Sequence, residues 1–154
     1  MISIERAGTI TATPEEVWAV LADFRAISTW AANVDHSCLL TEQEIGVGTL
    51  RRIQTGRTTL LETVVVWIAP STDSPGVLAY SLAGLPKVIR RVTNTWQLTR
   101  DGSSTSVTLT SIVDAGPRPP QKVVARIVGR KLAAASDEMI NGLTRHIATT
   151  EKNA

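Results

Sequence analysis

Apolar residues recur along the chain in two rhythms, and the switches between them mark its elements. Ile2, Ile4 and Ile10 share one face of a first strand running from residue 2 to about residue 10. Thr13-Pro14-Glu15-Glu16 then predicts a helix start. Thr13 can cap, Pro14 suits the first helical position, and Glu16 stands where a capping box reaches back. Val17, Val20, Leu21 and Phe24 follow at helical spacing, and the break at Asp23 before the run to Trp30 predicts a second short helix.

The middle of the chain alternates with period two. Residues 49–53 and 60–68 flank Gly56-Arg57, a two-residue hairpin loop with glycine at its first central position. That register sets Arg51 opposite Glu62 and Ile53 opposite Leu60. One face then carries Thr49, Arg51, Ile53, Leu60, Glu62, Val64, Val66 and Ile68, with Leu61, Val65 and Trp67 on the other. Leu78, Tyr80 and Leu82 share a face, as do Val88, Val92, Asn94, Trp96 and Leu98. A turn at Arg100-Asp101-Gly102-Ser103 leads to a strand in which Val107, Leu109 and Val113 alternate with Thr108, Thr110 and Ile112. These are half-buried antiparallel strands. From Pro119 the period returns to helical. Val124, Ile127, Val128, Leu132, Ala135, Met139, Leu143 and Ile147 form a stripe on one long helix, interrupted by Gly129 and Gly142, where the backbone bends or approaches the sheet closely. The order predicts an α+β fold, a single domain over residues 1–150, and a disordered tail at 151–154.

Composition narrows the function more than the fold. Sixteen Lys and Arg against 14 Asp and Glu leave a net charge of +2, too small an excess to predict a strong field for nucleic acid or an anionic membrane. No apolar run spans a bilayer, and the first residues lack the basic and apolar segments of a leader, so neither stable membrane insertion nor secretion is expected. One cysteine, Cys38, excludes an internal disulfide and is consistent with a cytoplasmic setting. His36 and His146 are the only histidines, and His36 shares a strand face with Cys38 without an orienting acid. No metal site and no cofactor are expected.

The segment Thr-Pro-Glu-Glu-Val-Trp-Ala-Val-Leu-Ala-Asp-Phe at 13–24, together with Trp30, Gly48-Thr49-Leu50-Arg51, Leu61-Glu62 and Tyr80-Ser81-Leu82, resembles the START-like or SRPBCC superfamily. That superfamily includes bacterial polyketide cyclase/dehydratase-like proteins, the birch-pollen-allergen fold and the plant abscisic-acid receptors. The resemblance covers essentially the whole chain. It implies a helix-grip: a curved seven-stranded antiparallel sheet around a long C-terminal helix, with two short helices after the first strand. It also implies that Glu62 points inward, as a glutamate does in the plant receptors.

Convergence of the apolar stripes predicts a cavity between sheet and helix, lined by Leu60, Val64, Tyr80, Val92, Trp96, Leu132, Ala135 and Met139. Arg51, Glu62 and Asn94 would be its polar groups. Arg51–Glu62 reads either as a structural ion pair or as an anchor for a ligand carboxylate, carbonyl or hydroxyl. The leading expectation is binding of a small hydrophobic or amphipathic ligand, a lipid, polyketide or isoprenoid-like compound. A polyketide cyclase/dehydratase-like enzyme, with Arg51, Glu62 or Tyr80 moving protons, is the alternative. A toxin-like or protein-interaction module is a third. Exposure of Leu61, Val65 and Trp67 would favour that third reading and a weak homodimer.

Overall fold

The structure, a computed structural model, describes residues 1–153. Seven strands form one curved antiparallel sheet: β1 (Ile2–Ile10), β2 (His36–Leu39), β3 (Leu50–Thr55), β4 (Thr58–Ile68), β5 (Gly76–Ala83), β6 (Arg91–Asp101) and β7 (Ser104–Asp114). Their spatial order is β1-β7-β6-β5-β4-β3-β2, so the first strand closes against the last and every other neighbour is consecutive. Helix α1 (Pro14–Ala22) and a 3-10 segment (Phe24–Thr29) follow β1, and α2 (Pro119–Lys152) ends the fold.

Local chemistry accounts for the boundaries. Thr13 Oγ1 accepts from the Glu16 amide at 3.2 Å and Glu16 Oε2 accepts from the Thr13 amide at 3.3 Å, the reciprocal capping box that the sequence predicts. Gly56, at φ +59°, turns the β3–β4 hairpin, and Arg51 pairs with Glu62 and Ile53 with Leu60 as expected. Helix α2 has 34 residues, about 51 Å of rise, and lies along β1 and β7.

The core has two parts. The larger gathers Val17, Leu21, Phe24 and Ile27 against Val64, Tyr80 and Trp96, closed by Met139, Leu143 and Ile147 of α2. The smaller sets Ile89, Val92 and Val113 against Ala125, with Val124, Val128 and Leu132 packed on it. Leu82 touches both.

Three expectations from periodicity are corrected. The β4–β5 register slips between Val64 and Val66, and this bulge reverses the alternation beyond it. Trp67 therefore turns to the helix side, edge-on to Trp18 with ring centroids 5.3 Å apart, while Ile68 is exposed. The patch expected from Leu61, Val65 and Trp67 loses its tryptophan, and with it the main argument for a weak homodimer. Second, β6 starts at Arg91, so Val88 is exposed and Ile89 is buried instead. Third, Ile127 lies on the outer face of α2 and not in its buried stripe. The helix also runs through Lys152, past the start of the tail expected at 151–154; Ala154 lies outside the described residues.

Gly142 explains the close seat of α2. A Cβ there would collide with the Trp30 carbonyl, so only glycine lets the helix reach the loop after the 3-10 segment. Gly142→Ala should destabilise by about 1–2 kcal/mol, although alanine is the better helix former by about 1 kcal/mol, because overpacking outweighs propensity. Urea denaturation monitored by far-UV circular dichroism would measure the difference.

Candidate functional site

A row of polar side chains crosses the inner face of the sheet from β3 to β7. Its residues are set by cross-strand register: Arg51 opposite Glu62, Tyr80 opposite Asn94, and Asn94 opposite Ser111. All five are buried. Arg51 Nε donates to Glu62 Oε1 at 2.7 Å, and an Arg51 terminal nitrogen donates to the Phe24 carbonyl at 2.9 Å. The guanidinium carbon sits 3.7 Å from the Phe24 ring centroid and 4.8 Å from that of Tyr80. The charge is thus neutralised by a carboxylate, capped by a backbone oxygen and flanked by two π-faces, the compensation that a buried cation requires. The pair also ties the 3-10 segment to the sheet.

The row continues through neutral groups. Trp96 Nε1 donates to the Tyr80 hydroxyl at 3.2 Å, and the Ser111 hydroxyl donates to Asn94 Oδ1 at 2.6 Å. Burial, reinforced by the nearby Glu62 charge and opposed by Arg51, Trp96 and Asn94, pushes the Tyr80 phenol up to about 12. Among the described residues two buried side-chain polar atoms have no partner: Trp30 Nε1 and Asn33 Oδ1. The Trp30 ring stands edge-on to Trp96 at 6.0 Å, which places its indole beside this row.

Arg51, Glu62, Val64, Tyr80, Asn94 and Trp96 come together as the sequence predicts, with Val92 and Met139 also buried. Leu60, Leu132 and Ala135 are half-buried, Leu60 against the larger core and Leu132 against the smaller. The expected internal cavity is corrected. Val64, Tyr80, Val92 and Trp96 each expose at most 1% of their surface, so no water-sized space borders them in this conformation. Open recesses lie elsewhere, one of about 350 Å³ between the 3-10 segment and the end of α2, lined by Trp30, Arg145 and His146 among others. His36 and Cys38 are exposed on β2. Among the described residues no group of three or more His, Cys, Asp or Glu is placed to hold a metal ion.

One member of the row and one of its partners escape a pattern-only reading. Ser111 shares parity with Val107, Leu109 and Val113, and a lone polar residue on a buried face is the signal that points to it. The Phe24 carbonyl leaves no trace in side-chain patterning.

Coupling within the row is measurable. Arg51→Met alone should cost about 3–5 kcal/mol, because Glu62 is left buried without its cation, and Arg51→Met with Glu62→Leu should recover much of that loss in urea denaturation. Tyr80 is the only tyrosine, so its ionisation can be followed by absorbance without overlap. Its folded pKa of about 12 lies above the unfolded value of 10.0. Its contribution is therefore complete below about pH 10 and is lost as pH rises toward 12, amounting to about 3 kcal/mol. Tyr80→Phe should remove that part of the alkaline decline.

Comparison with known proteins places this geometry. The family model described as "Polyketide cyclase / dehydrase and lipid transport" matches residues 1–148. No curated protein sequence matches the chain. Among solved structures, XoxI from Bacillus cereus superposes with a TM-score of 0.77 at 17% identity, covering 98% of this chain and 99% of that one. The Zhui aromatase/cyclase from Streptomyces sp. R1128 gives 0.72 at 19%, covering 96% and 93%. The STAR-related lipid transfer protein from Xanthomonas axonopodis gives 0.66 at 16%, covering 95% and 85%. At such identities the likeness establishes the shared fold alone. The family match over nearly the whole chain goes further: this protein belongs to the polyketide cyclase/dehydrase and lipid transport family, within the START-like or SRPBCC superfamily.

Proposed function

We propose that the chain binds a small hydrophobic or amphipathic molecule, lipid, polyketide or isoprenoid-like, between the inner face of the sheet and α2. The observation that carries this reading is the polar row itself. A core built for stability alone gains nothing from burying Arg51, Glu62, Asn94 and Ser111 among apolar residues, or from leaving the Trp30 indole N–H without an acceptor. A ligand with an apolar body and one carbonyl or hydroxyl would use both features. Burial of its hydrocarbon supplies the affinity, and Trp30 and Asn94 orient its polar end. The family match and the similarity to a lipid transfer protein support the same ligand class.

The closed core sets the route. Helix α2 packs chiefly on β1 and β7, so a shift of the helix opens a seam beside Leu82, which touches both parts of the core, and the half-buried Leu132 and Ala135. Binding is then coupled to a population shift from the closed form.

The geometry favours a container over a catalyst. Proton transfer near neutral pH needs a group poised to titrate there. Tyr80 ionises only at about 12, and Glu62 is committed to Arg51 at 2.7 Å.

Mass spectrometry under non-denaturing conditions, after incubation with a long-chain fatty acid and with a bacterial lipid extract, tests the proposal. One apolar molecule per chain is expected. Leu132→Trp, which fills the seam from a half-exposed position, should abolish uptake without unfolding the protein. Trp30→Phe should weaken uptake about tenfold at modestly lower stability, since removal of the unpaired donor offsets only part of the void that the smaller ring leaves beside Trp96. Absence of any bound molecule, or uptake untouched by Leu132→Trp, would contradict the proposal.

A further inference from the structure

The net charge of +2 hides a strong segregation. Residues 84–91 contain Lys87, Arg90 and Arg91, and residues 115–136 contain Arg118, Lys122, Arg126, Arg130 and Lys131. Neither segment has a single Asp or Glu, so half of the 16 basic residues fall in two stretches of chain free of acidic ones. The fold brings the two segments together. Leu85 and Ile89 of the β5–β6 connection belong to the same small core as Val124 and Val128 of α2. The Arg90 guanidinium lies against Gly116, just before α2, within 3.2 Å of where a Cβ would stand. Asp114 faces Arg91 across the β6–β7 ladder, and its Oδ1 accepts from the Gly116 amide at 3.1 Å. Among the described residues none of the eight basic side chains takes part in an ion pair.

The same end exposes apolar side chains that the core does not use. Val123 and Ile127, one helical turn apart on the outer face of α2, are 54% and 52% exposed, and Val88 of the connection is exposed as well. Arg126 and Arg130 flank Val123 and Ile127 on that face, while Val124 and Val128 point to the core. The first half of α2 is thus apolar on both sides, and its outer apolar strip is bordered by Arg126 and Arg130, with Glu5 of β1 the one acidic residue that shares a recess with them. A purely electrostatic surface for a nucleic acid or an acidic protein has no use for the exposed Val123 and Ile127. An interfacial helix needs both features, apolar residues to enter the acyl boundary and cations for the headgroups.

We infer that this end of the molecule, formed by the first half of α2 and the β5–β6 connection, docks peripherally on the surface of an anionic lipid bilayer. Among the described residues no helix is long and apolar enough to cross a membrane, and the contact proposed is one of lying on the surface. The inference stands on charge and exposure and does not depend on which molecule, if any, occupies the core.

Co-sedimentation with vesicles tests it. The whole protein should bind vesicles of phosphatidylcholine containing about 30% phosphatidylserine at low salt and be released at about 0.5 M salt, with no binding to phosphatidylcholine alone. Each cation near such a surface contributes roughly fivefold in affinity, so Arg126→Glu with Arg130→Glu should weaken binding at least ~25-fold. Val123→Ser with Ile127→Ser should weaken it several-fold. All four residues are exposed, so thermal unfolding should be unchanged in both variants and serves as the control. Failure to bind anionic vesicles at low salt, or equal binding by the Arg126→Glu/Arg130→Glu variant, would overturn the inference. So would binding to a single-stranded oligonucleotide that exceeds vesicle binding and ignores the Val123→Ser/Ile127→Ser change, because the patch would then serve a soluble polyanion.

Discussion

Burying Arg51 against Glu62 constrains the rest of this molecule. Neither charge can be left alone away from water, so β3 and β4 are held in the one register that joins them. The guanidinium has further donors, and one takes the Phe24 carbonyl. That bond fixes the 3-10 segment over the sheet and brings Phe24 edge-on to Tyr80 at 5.7 Å. Tyr80 in turn accepts from Trp96. A single desolvated cation thus organises a neighbourhood that extends over β3, β4, β5 and β6, and the closed core follows from it.

Much of the sheet was legible because its determinants are local. Gly56 announces the hairpin loop, and the loop sets Arg51 opposite Glu62 by counting. Gly102, at φ +60°, does the same for β6 and β7, which is why Asn94 meets Ser111. Thr13 and Glu16 mark the start of α1 by a reciprocal bond between residues three apart. In each case the information lies within a few residues of the feature that it specifies.

The misreadings share the opposite property. The bulge at Val65 depends on how β4 pairs with β5, and nothing within β4 distinguishes Val64-Val65-Val66 from a regular strand. Hence Trp67 reads as an outer residue until Trp18 is seen beside it. Ile127 and Val128 are equally apolar, and only the seat of the helix on β1 decides which one is buried; Gly129, where a Cβ would come within 2.9 Å of Ile4, shows how close that seat is. Whether converging apolar stripes enclose a space or fill it is a question of packing volume, which periodicity does not carry. The charge segregation was present in the sequence all along. It acquires meaning only when the fold sets residues 84–91 beside the first half of α2.

The central claim is that a molecule enters beside the polar row and accepts a hydrogen bond from Trp30. The chain has four tryptophans, so four indole N–H signals report on it in proton–nitrogen NMR spectra. Titration with a long-chain fatty acid should move the Trp30 indole signal downfield and slow its exchange with solvent. Trp96 should respond as its neighbour, while the Trp18–Trp67 pair stays nearly unchanged. A titration in which only Trp18 and Trp67 respond, or in which no indole moves although the ligand binds, would contradict the account.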